Sequence, residues 1–512
     1  MATKIIFLIL FVLDLLLTGF LGWSMAQTHL ISSQLVIIAA LLLALIPMLL
    51  FALQVEKKKQ KKKTGFRVAA IVLLLFMGIV EGAVSYYLYH YNNKIDRVTE
   101  VRTQYTQVEI YVMDEDNAQT MDYAMERRYV FGVIQGADYD AVNQTRENME
   151  KKYERSMNLQ PYDSLADLVK ALDEGEIDAM LMSAAYLGLI DDLPEYDGFS
   201  QRLRVLHSSN VQTDMLEEIV PQQFGDATEE PLEMKDPDLW TDCFCAYISG
   251  IDTFGPVTTR SRSDVNILAI VNTRTKTVLL ISTPRDYYVP FNFSPVNGRM
   301  DKLTHAGIYG IEASMRALGD YYDLPIHYYV RVNFSGFMDV IDTLGGVDVE
   351  SDADFGSGSE SYQKGVNHMN GREALAFVRN RYAFLEGDRA RGRHQMAVIK
   401  GVINGLMSSK VIANYAELLD EMEGCLQTNA SKTMIGDLVQ LTLDRSRGDW
   451  KVLTYSVDGS GTTDYAYSLG AYAYCMVPFP QTLDYAQELV KTVVAGDSLT
   501  QDELQKNAPK FR

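Results

Sequence analysis

Three long apolar runs occupy most of the first 90 residues. They cover residues 5–21, 35–53 and 68–84, and each is close to the roughly 20 residues that cross a bilayer as a helix. Only Asp14 and Glu81 place acids inside or beside these runs. The pattern predicts a three-span transmembrane region over residues 1–91. A cleaved signal peptide is the alternative interpretation of the first run.

A strongly basic loop separates the second run from the third. Residues 55–67 contain six lysines and Arg67. Because Lys and Arg accumulate in cytoplasmic loops, this loop and the amino terminus are predicted to lie in the cytoplasm. Everything after about Tyr91 is then outside the cell membrane.

The pattern changes to short strands and helices after the membrane region. A linker over 92–106 precedes a strand at 107–113, a second strand at 129–134, a polar helix at 141–154, a helix that Ser164 opens, and a buried strand at 177–182. These elements predict a small α/β accessory domain over residues 107–238 without a catalytic signature.

Strands and helices also alternate through the rest of the chain. The predicted strands cover 265–271, 277–282, 326–333 and 347–350, and the predicted helices cover 300–318 and 334–344. This alternation is typical of a layered α/β domain with a buried sheet. We assign this domain to residues 239–498 and a carboxy-terminal tail to 499–512.

The charge is unevenly distributed along the chain. The formal net charge of the chain is −20. Residues 1–67 hold eight Lys/Arg and two Asp/Glu and contribute +6, so residues 68–512 contribute −26. An acidic surface excludes non-specific nucleic-acid binding, which depends on basic side chains. It is compatible with binding of a divalent cation.

All four cysteines lie in the part predicted to be outside. Cys243 and Cys245 are two residues apart on a predicted strand, and the pair supplies too few ligands for zinc. The hypothesis for the other two is a disulfide between Cys425 and Cys475.

Two aspartates are placed where a metal ion could be bound. Asp252 follows a predicted strand and Asp264 precedes the next one. Carboxylates at loop edges are the oxygen ligands that Mg²⁺ prefers. Ordinary turn aspartates are the alternative interpretation.

Basic residues mark several of the same loop edges, and a dense group of them follows. Arg285 ends a predicted strand, and Lys302 opens the predicted helix after it. The stretch from Arg379 to Gln395 reads RNRYAFLEGDRARGRHQ and holds five arginines. Guanidinium groups bind phosphate oxygens in bidentate fashion, so this local reversal of charge predicts an anionic ligand. A solvated basic helix face is the alternative.

Within that stretch, the spacing suggests how the side chains are presented. Arg379 and Arg381 face one side if the backbone between them is extended. Asp388 is a suitable N-cap for the next helix, on which Arg391 and Gln395 share a face at i and i+4.

Eight motifs in a fixed order carry a resemblance to a known family. The sequence resembles the LytR-CpsA-Psr family of bacterial envelope proteins from about Asp242 to Gly496. The three spans and the accessory domain resemble its capsule-associated branch. The motifs are SGIDTF, RSRSDVNILAIVN, ISTPRDYYV, DKLTHAGIYG, VNFSGFMDVIDTLGGVDV, REALAFVRNRY, GDRARGRHQ and YSVDGSGTTDYAYS.

The resemblance implies a Mg²⁺-dependent or Mn²⁺-dependent phosphotransferase. Such an enzyme would move a glycopolymer, either capsular polysaccharide or teichoic acid, from polyprenyl pyrophosphate to peptidoglycan through a phosphodiester bond. It would lie in the cell membrane of a Gram-positive bacterium with its catalytic domain outside. Its implied fold is an α/β/α sandwich with a hydrophobic tunnel for the lipid.

The resemblance also assigns roles to individual residues. The implied metal ligands are Asp252 and Asp264, and the implied catalytic residues are Asp264, Arg262 and Asp388. His394 stands where the family commonly has arginine, so it is left out of the site. The implied pyrophosphate-binding residues are Arg262, Arg285, Lys302, Arg379, Arg381, Arg391 and Gln395.

Three questions stay open at the level of sequence. Either Asp264 or Asp388 could remove the proton from the acceptor hydroxyl. Water could replace the sugar acceptor, which would make the protein a polyprenyl pyrophosphatase. A membrane regulator or adaptor that binds envelope biosynthesis proteins without catalysis is the third hypothesis.

Overall fold

The structure is a computed structural model of the 512-residue chain. It describes residues 2–28, 33–55, 64–98, 103–134, 136, 138–214, 242–251, 256–380, 388–407, 426–444 and 448–510. The chain forms two compact units. The first comprises Met1–Glu100, Tyr415–Glu423 and Ala430–Gly448, and the second comprises Val101–Asn414, Gly424–Asn429 and Asp449–Arg512.

The first unit contains the three predicted membrane helices. They are α1 (Ala2–Gln27), α2 (Ser33–Val55) and α3 (Thr64–Val98), and a further helix covers Lys432–Leu443. Long apolar segments of all three meet the length and composition needed to cross a membrane: Ile5–Gln27, Gln34–Leu53 and Val68–His90. The prediction of three spans is confirmed.

Two acids inside these spans point away from the lipid. Asp14 on α1 and Glu81 on α3 are both buried between helices. The hydroxyl of Thr18 lies 3.0 Å from one carboxyl oxygen of Glu81. Ionisable groups in a membrane segment normally face the helix bundle, because hydrocarbon solvates them poorly.

The accessory domain is a five-stranded mixed sheet with helices. Its strand order is β3-β2-β4-β1-β5, in which β2 is parallel to β3 and β4, and β1 is antiparallel to β4 and β5. The first strand begins at Thr103, inside the segment predicted to be a linker. The strands are β1 (Thr103–Met113), β2 (Val130–Ile134), β3 (Asn158–Tyr162), β4 (Ala179–Ser183) and β5 (Leu203–Asp214); the helices are α4 (Met121–Glu126), α5 (Tyr139–Tyr153), α6 (Leu165–Asp173) and α7 (Leu187–Ile190).

The larger domain, which belongs to the second unit together with the accessory domain, has a six-stranded sheet between helices. Its order is β16-β11-β6-β7-β8-β17, with β6, β7 and β8 antiparallel and β11 and β17 added in parallel. The sheet strands are β6 (Cys243–Ile251), β7 (Ser263–Asn272), β8 (Thr277–Thr283), β11 (Tyr328–Val332), β16 (Leu426–Thr428) and β17 (Lys451–Ser456). Eight further strands form four two-stranded pairs: β9 (Tyr288–Phe291) with β10 (Arg299–Lys302), β12 (Val347–Ser351) with β15 (Gly365–Met369), β13 (Phe355–Ser357) with β14 (Glu360–Tyr362), and β18 (Gly459–Ala466) with β19 (Ala471–Pro478).

Helices cover both faces of the six-stranded sheet. Apolar residues of α8 (Ile311–Tyr322) and α12 (Pro480–Ala495) pack with Leu268 and Ile281 on one face. Residues of α11 (Asp388–Leu406) pack with Ile267 and Leu280 on the other. The remaining helices of the domain are α9 (Phe334–Thr343), α10 (Gly371–Arg379) and α13 (Gln501–Asn507). The predicted fold class, an α/β accessory domain with a larger helix–sheet–helix domain, is confirmed.

One predicted helix is wrong in a way that matters for the site. The sequence predicted a single helix over 300–318, whereas the chain forms β10, then a 3₁₀ helix over Leu303–Tyr309, and only then α8. Gly310, whose φ is +121°, separates the 3₁₀ helix from α8, and Gly307 packs so closely on the backbone at Ser261 that any Cβ there would collide with it. This contact holds the Lys302–His305 segment beside the beginning of β7.

The two domains of this unit share one hydrophobic core. Leu165 and Leu189 of the accessory domain belong to the same buried cluster as Tyr309 and Leu469 of the larger domain. Backbone hydrogen bonds join them as well: the Ala166 N–H donates to the Leu469 carbonyl at 3.2 Å. The accessory domain is therefore docked on the larger domain through a core and not only through a surface contact.

Candidate active site

The centre of the candidate site is an ion pair between two neighbouring strands. Asp264 lies near the start of β7, and Arg285 follows the end of antiparallel β8, so the hairpin brings them together. Arg285 Nη1 donates to Asp264 Oδ1 at 2.9 Å, and the Thr304 hydroxyl donates to the same oxygen at 3.3 Å. Both members of the pair are largely buried. Two of the predicted site residues therefore form a fixed pair.

Neighbouring cations keep the Asp264 carboxyl ionised. Burial alone would raise its pKa, but the positive charges of Arg285, Arg262 and Arg391 outweigh burial and lower the pKa to about 2. Burial likewise opposes the charge on Arg285, whereas Asp264 and Asp286 raise its pKa above the ordinary value. The pair thus stays charged across the physiological range.

A second group of charges lies next to this pair. Lys302 Nζ lies 2.8 Å from Asp192 Oδ2 and 3.6 Å from Asp286 Oδ1. Arg262 Nη1 donates to the carbonyl of Gly188 at 2.9 Å and lies 3.6 Å from Asp192 Oδ2. The predicted residues Arg262 and Lys302 therefore meet at a carboxylate that the accessory domain supplies.

Several neighbours of the predicted site residues were not predicted from the sequence. Asp286 adjoins Arg285 in the STPRD motif, and Thr304 lies two residues after Lys302. Their closeness in sequence to predicted site residues could have indicated that they belong to the site. Asp192 carried no such signal, because its contact crosses between two domains.

A buried histidine completes this side of the site. His305 Nδ1 lies 2.6 Å from Asp301 Oδ1, and the backbone N–H of Ser468 donates to Asp301 Oδ2 at 2.7 Å. His305 and Asp301 are fully buried. Nε2 of the same ring lies 3.7 Å from Asp192 Oδ2. The Asp301 contact fixes the orientation of the imidazole.

The arginine-rich stretch contributes at least one charge near Asp264. Arg391 is buried in the first turns of α11, and its charge helps to lower the pKa of Asp264. Gln395 follows one turn later and is half-buried. Arg379 ends α10, is exposed, and places its guanidinium carbon 4.7 Å from the centroid of the Phe334 ring.

Three predicted site residues cannot be placed in this geometry. Asp252 and Arg381 lie outside the residues that the structure describes. Asp388 begins α11, but its side chain is also outside the described part. Their proposed roles in metal binding, pyrophosphate binding and catalysis remain predictions.

The carboxylate that is described would suit a magnesium ion. The Arg285 and Thr304 hydrogen bonds to Asp264 both fall on Oδ1. Oxygen donors are the ligands that Mg²⁺ prefers. Among the described residues no group of three or more His, Cys, Asp or Glu side chains could hold a metal ion. Metal binding by Asp264 and Asp252 stays a prediction.

Residues that were not assigned to the site make contacts elsewhere in the domain. His394 is buried and its ring is stacked on Phe355 at 4.9 Å between centroids. Arg393 is exposed and pairs with Asp352 at 3.2 Å. Cys475 is a free, buried thiol, which contradicts the hypothesis of a bridge from it; Cys425 lies outside the described residues.

The charged state of Asp264 predicts a specific pH dependence. Because its folded pKa of about 2 is below the ordinary value of 3.8, its stabilising contribution is complete above that ordinary value and is lost as the pH falls through about 2. We expect Asp264→Asn to lower the urea concentration at the midpoint of unfolding at neutral pH. The shift should shrink in acid, where wild-type Asp264 becomes neutral. A shift that stays constant down to about pH 2.5 would contradict the assignment.

Comparison with known proteins places this domain in a family. The LytR_cpsA_psr family model matches residues 215–477. The polyisoprenyl-teichoic acid–peptidoglycan teichoic acid transferase TagU of Enterococcus faecalis is 32% identical over 221 residues, which are 43% of this chain and 71% of TagU. The corresponding transferase TagT of Bacillus subtilis is 33% identical over 241 residues, 44% of this chain and 73% of TagT.

Solved structures were also found to be similar. A crystal structure of B. subtilis TagV is 26% identical, with a TM-score of 0.42, covering 50% of this chain and 99% of that one. A structure of TagT bound to LI-WTA is 28% identical, with a TM-score of 0.40, covering 51% of this chain and 94% of that one. From the family match over residues 215–477 and the identity to TagU and TagT, we conclude that the chain belongs to the LytR_cpsA_psr family.

Proposed function

We propose that this protein is a membrane-anchored phosphotransferase that joins a glycopolymer to peptidoglycan. The donor would be a glycopolymer on polyprenyl pyrophosphate, and the new bond would be a phosphodiester. The observation that carries the proposal is the convergence of Arg262, Arg285 and Arg391 around Asp264, with Lys302 beside the adjacent Asp286. The family relatives TagU and TagT, which are named as teichoic acid transferases, support the same class of reaction.

The basic residues would bind and orient the diphosphate. Phosphoryl transfer needs little covalent help from a protein, so positioning and neutralisation of charge supply most of the catalysis. Arg285 is held by Asp264 at 2.9 Å, so its guanidinium needs little reorganisation when an anion binds. The leaving group would be polyprenyl phosphate, whose negative charge these cations stabilise.

The pKa of Asp264 favours one of the two proposed bases over the other. A carboxylate with a pKa of about 2 is a weak proton acceptor near neutral pH. Asp264 is therefore better suited to holding Arg285 and a cation. We assign the removal of the acceptor proton to Asp388, at the start of α11.

A divalent cation would fit beside Asp264. We propose Mg²⁺, with Mn²⁺ as a substitute, bound by Asp264 and Asp252. When bound, the ion would neutralise charge on the diphosphate oxygens. In support, the Asp264 carboxylate is close to Arg285 and Thr304 through Oδ1, so the ion would bind next to the cations that hold the diphosphate.

Partly buried apolar side chains of the larger domain would receive the lipid chain. On the α11 side of the sheet, Ile248, Val265, Ile399 and Ile403 pack against the core but are only partly buried. Helix α9 is apolar, yet only Gly336 and Ile341 are buried in it. Apolar side chains left partly open between a sheet and helices are suited to a hydrocarbon ligand.

The membrane helices would keep the enzyme next to its lipid substrate. We propose that the second unit lies outside the cell, and the basic loop 55–67 supports this orientation under the positive-inside rule. A tether raises the effective concentration of a membrane-bound donor relative to free diffusion. The capsule or teichoic acid identity of the polymer does not change this argument.

A reconstituted transfer assay tests the function. Full-length protein with Mg²⁺ and a labelled glycan on short-chain polyprenyl pyrophosphate is expected to label peptidoglycan fragments. Arg379→Ala should lower the rate by about 10- to 100-fold, because one charge-assisted contact to phosphate contributes about 1.5–3 kcal/mol. Arg372→Ala on the same helix is the matched control, since Arg372 is exposed and pairs with Glu360 at 2.9 Å.

The same assay separates the alternatives. Release of phosphate at a rate independent of the peptidoglycan acceptor would make the protein a polyprenyl pyrophosphatase instead. Absence of both transfer and hydrolysis, with the lipid still bound, would support a regulator or adaptor of envelope assembly and overturn the enzyme proposal.

A further inference from the structure

A short segment of the accessory domain reaches the cations of the candidate site. It runs from Leu187 through α7 to Leu193. The carbonyl of Gly188 accepts from Arg262, and a Cβ at position 188 would lie 2.7 Å from Nη2 of that guanidinium. Asp192 follows at the end of the segment. The family match over residues 215–477 does not include any part of it.

All contacts of Asp192 with the site fall on one oxygen. Asp192 Oδ2 lies 2.8 Å from Lys302 Nζ, 3.6 Å from Arg262 Nη1 and 3.7 Å from His305 Nε2. Although burial raises its pKa, the His305 contact and the charges of Lys302 and Arg262 lower it well below the usual range. One anionic oxygen surrounded by three nitrogens is the environment that a phosphate oxygen requires.

Nε2 of His305 faces the Asp192 carboxylate but is too far from it for a hydrogen bond. Its Nδ1 is occupied by Asp301, whereas Nε2 is buried and has no hydrogen-bond partner within normal distance. The 3.7 Å separation from Asp192 is too long for a hydrogen bond. A tetrahedral phosphate is larger than a carboxylate and could bring an oxygen closer to this nitrogen.

From these contacts we propose that Arg262, Lys302 and His305 form an anion subsite for a phosphate group of the substrate, and that Asp192 occupies this subsite when substrate is absent. The inference rests on the proposed function, because it assigns the occupant of one part of that site. Asp192 thereby acts as an intramolecular competitor that the incoming phosphate displaces. His305 becomes a further substrate-binding residue.

Two features distinguish a competitor from a residue that only holds the cations in place. Arg262 has a second acceptor, the Gly188 carbonyl at 2.9 Å, and Lys302 Nζ also lies 3.6 Å from Asp286 Oδ1, so each cation keeps a neighbour when Asp192 leaves. The Asp192 side chain is also 18% exposed, compared with 4% for Lys302, so it is the more accessible member of the pair.

Charge balance gives the direction of the expected effect. Asp192 and Asp286 both face Lys302, so two carboxylates already neutralise that part of the site. A phosphate that enters must displace Asp192 from the cations and then meets the like charge of Asp286, and both effects weaken its binding. Removing the charge of Asp192 should therefore strengthen the binding of a phosphate ligand.

The test compares pyrophosphate binding by two neighbouring variants of the full-length protein. The probes are inorganic pyrophosphate and farnesyl pyrophosphate, measured by calorimetry in detergent. Asp192→Asn is expected to bind both about tenfold more tightly than wild type, a typical coupling between two ligands. Asp191→Asn is the control, because Asp191 accepts from the Ser200 N–H at 3.0 Å and does not contact the cations. Its affinity should equal that of wild type.

Several results would overturn the inference. Equal or weaker binding by Asp192→Asn would make Asp192 a structural counter-ion, and absence of pyrophosphate binding in both proteins would remove the subsite. His305→Gln should weaken binding in the Asp192→Asn background, and an unchanged affinity would exclude His305. Tighter binding without any glycan transfer would sustain the inference while the proposed function failed.

A measurement on wild-type protein makes the test independent of the stability of the variants. Saturating pyrophosphate should speed hydrogen exchange in the Leu187–Leu193 segment, because displacement of Asp192 removes a restraint from it. Unchanged or slower exchange there would contradict displacement.

Discussion

Replacing Arg285 with methionine is expected to reduce glycan transfer by about 10²- to 10³-fold, the usual loss when one preorganised electrostatic contact is removed. Arg285 is largely buried, held by Asp264 at 2.9 Å and next to Asp286 at 3.6 Å, so no flexible neighbour can take its place. Initial rates of transfer to peptidoglycan fragments measure the effect.

Two further variants interpret the result. Arg274→Met is the matched control, because Arg274 is at the far end of the β7–β8 hairpin and donates to the Ala495 carbonyl at 3.1 Å; its rate should be that of wild type. In the double variant Arg285→Met/Asp264→Asn, the losses should not add, since the two residues act as a pair. Retention of more than about a tenth of the activity by Arg285→Met would refute its role.

The second large effect concerns the interface between the accessory and larger domains. Arg260→Ala is expected to lower the free energy of unfolding by about 3–5 kcal/mol, the cost of breaking a buried ion pair from one side. Arg260 Nη1 lies 2.9 Å from Asp138 Oδ1, and both residues are buried. Burial raises the pKa of Asp138, and the charge of Arg260 is the main effect that lowers it. Removal of Arg260 would therefore leave the buried Asp138 carboxylate without its main stabilising charge. Urea denaturation of the full-length protein measures the change.

The control for this prediction is an exposed pair in the same accessory domain. Lys170 and Glu174 lie 3.9 Å apart on the surface, and Lys170→Ala should change stability by no more than about 0.5 kcal/mol. The double variant Arg260→Ala/Asp138→Ala should be more stable than Arg260→Ala alone, because it leaves no orphaned buried charge. A loss below about 1 kcal/mol for Arg260→Ala would show that the pair does not hold the interface.

Local patterns predicted the elements well where local interactions decide them. The three membrane helices follow from runs of apolar residues alone. Helix α6 begins at its predicted cap, where the Ser164 hydroxyl accepts from the Asp167 N–H. Asp264 and Arg285 were also within reach of sequence reasoning, because a hairpin brings the ends of adjacent strands together.

Contacts between distant segments were not predictable in the same way. The helix predicted over 300–318 is interrupted at Gly310, and the 3₁₀ helix before it packs on Ser261 through Gly307, a contact that no local pattern reveals. The contact between Asp192 and Lys302 joins two domains across 110 positions of sequence. The surroundings of the predicted cations therefore depend in part on tertiary contacts between distant segments.

The shared core of the two domains has a consequence for how the chain is made. Ala166 and Leu469, which join the domains by a hydrogen bond, are 303 residues apart in the sequence. At about 5–20 residues per second, the second arrives roughly 15–60 s after the first. During that interval Leu165 and Leu189 lack part of the core in which they are later buried. A chaperone that covers this nascent surface, or a protease that cuts it, would thus act before the protein is complete.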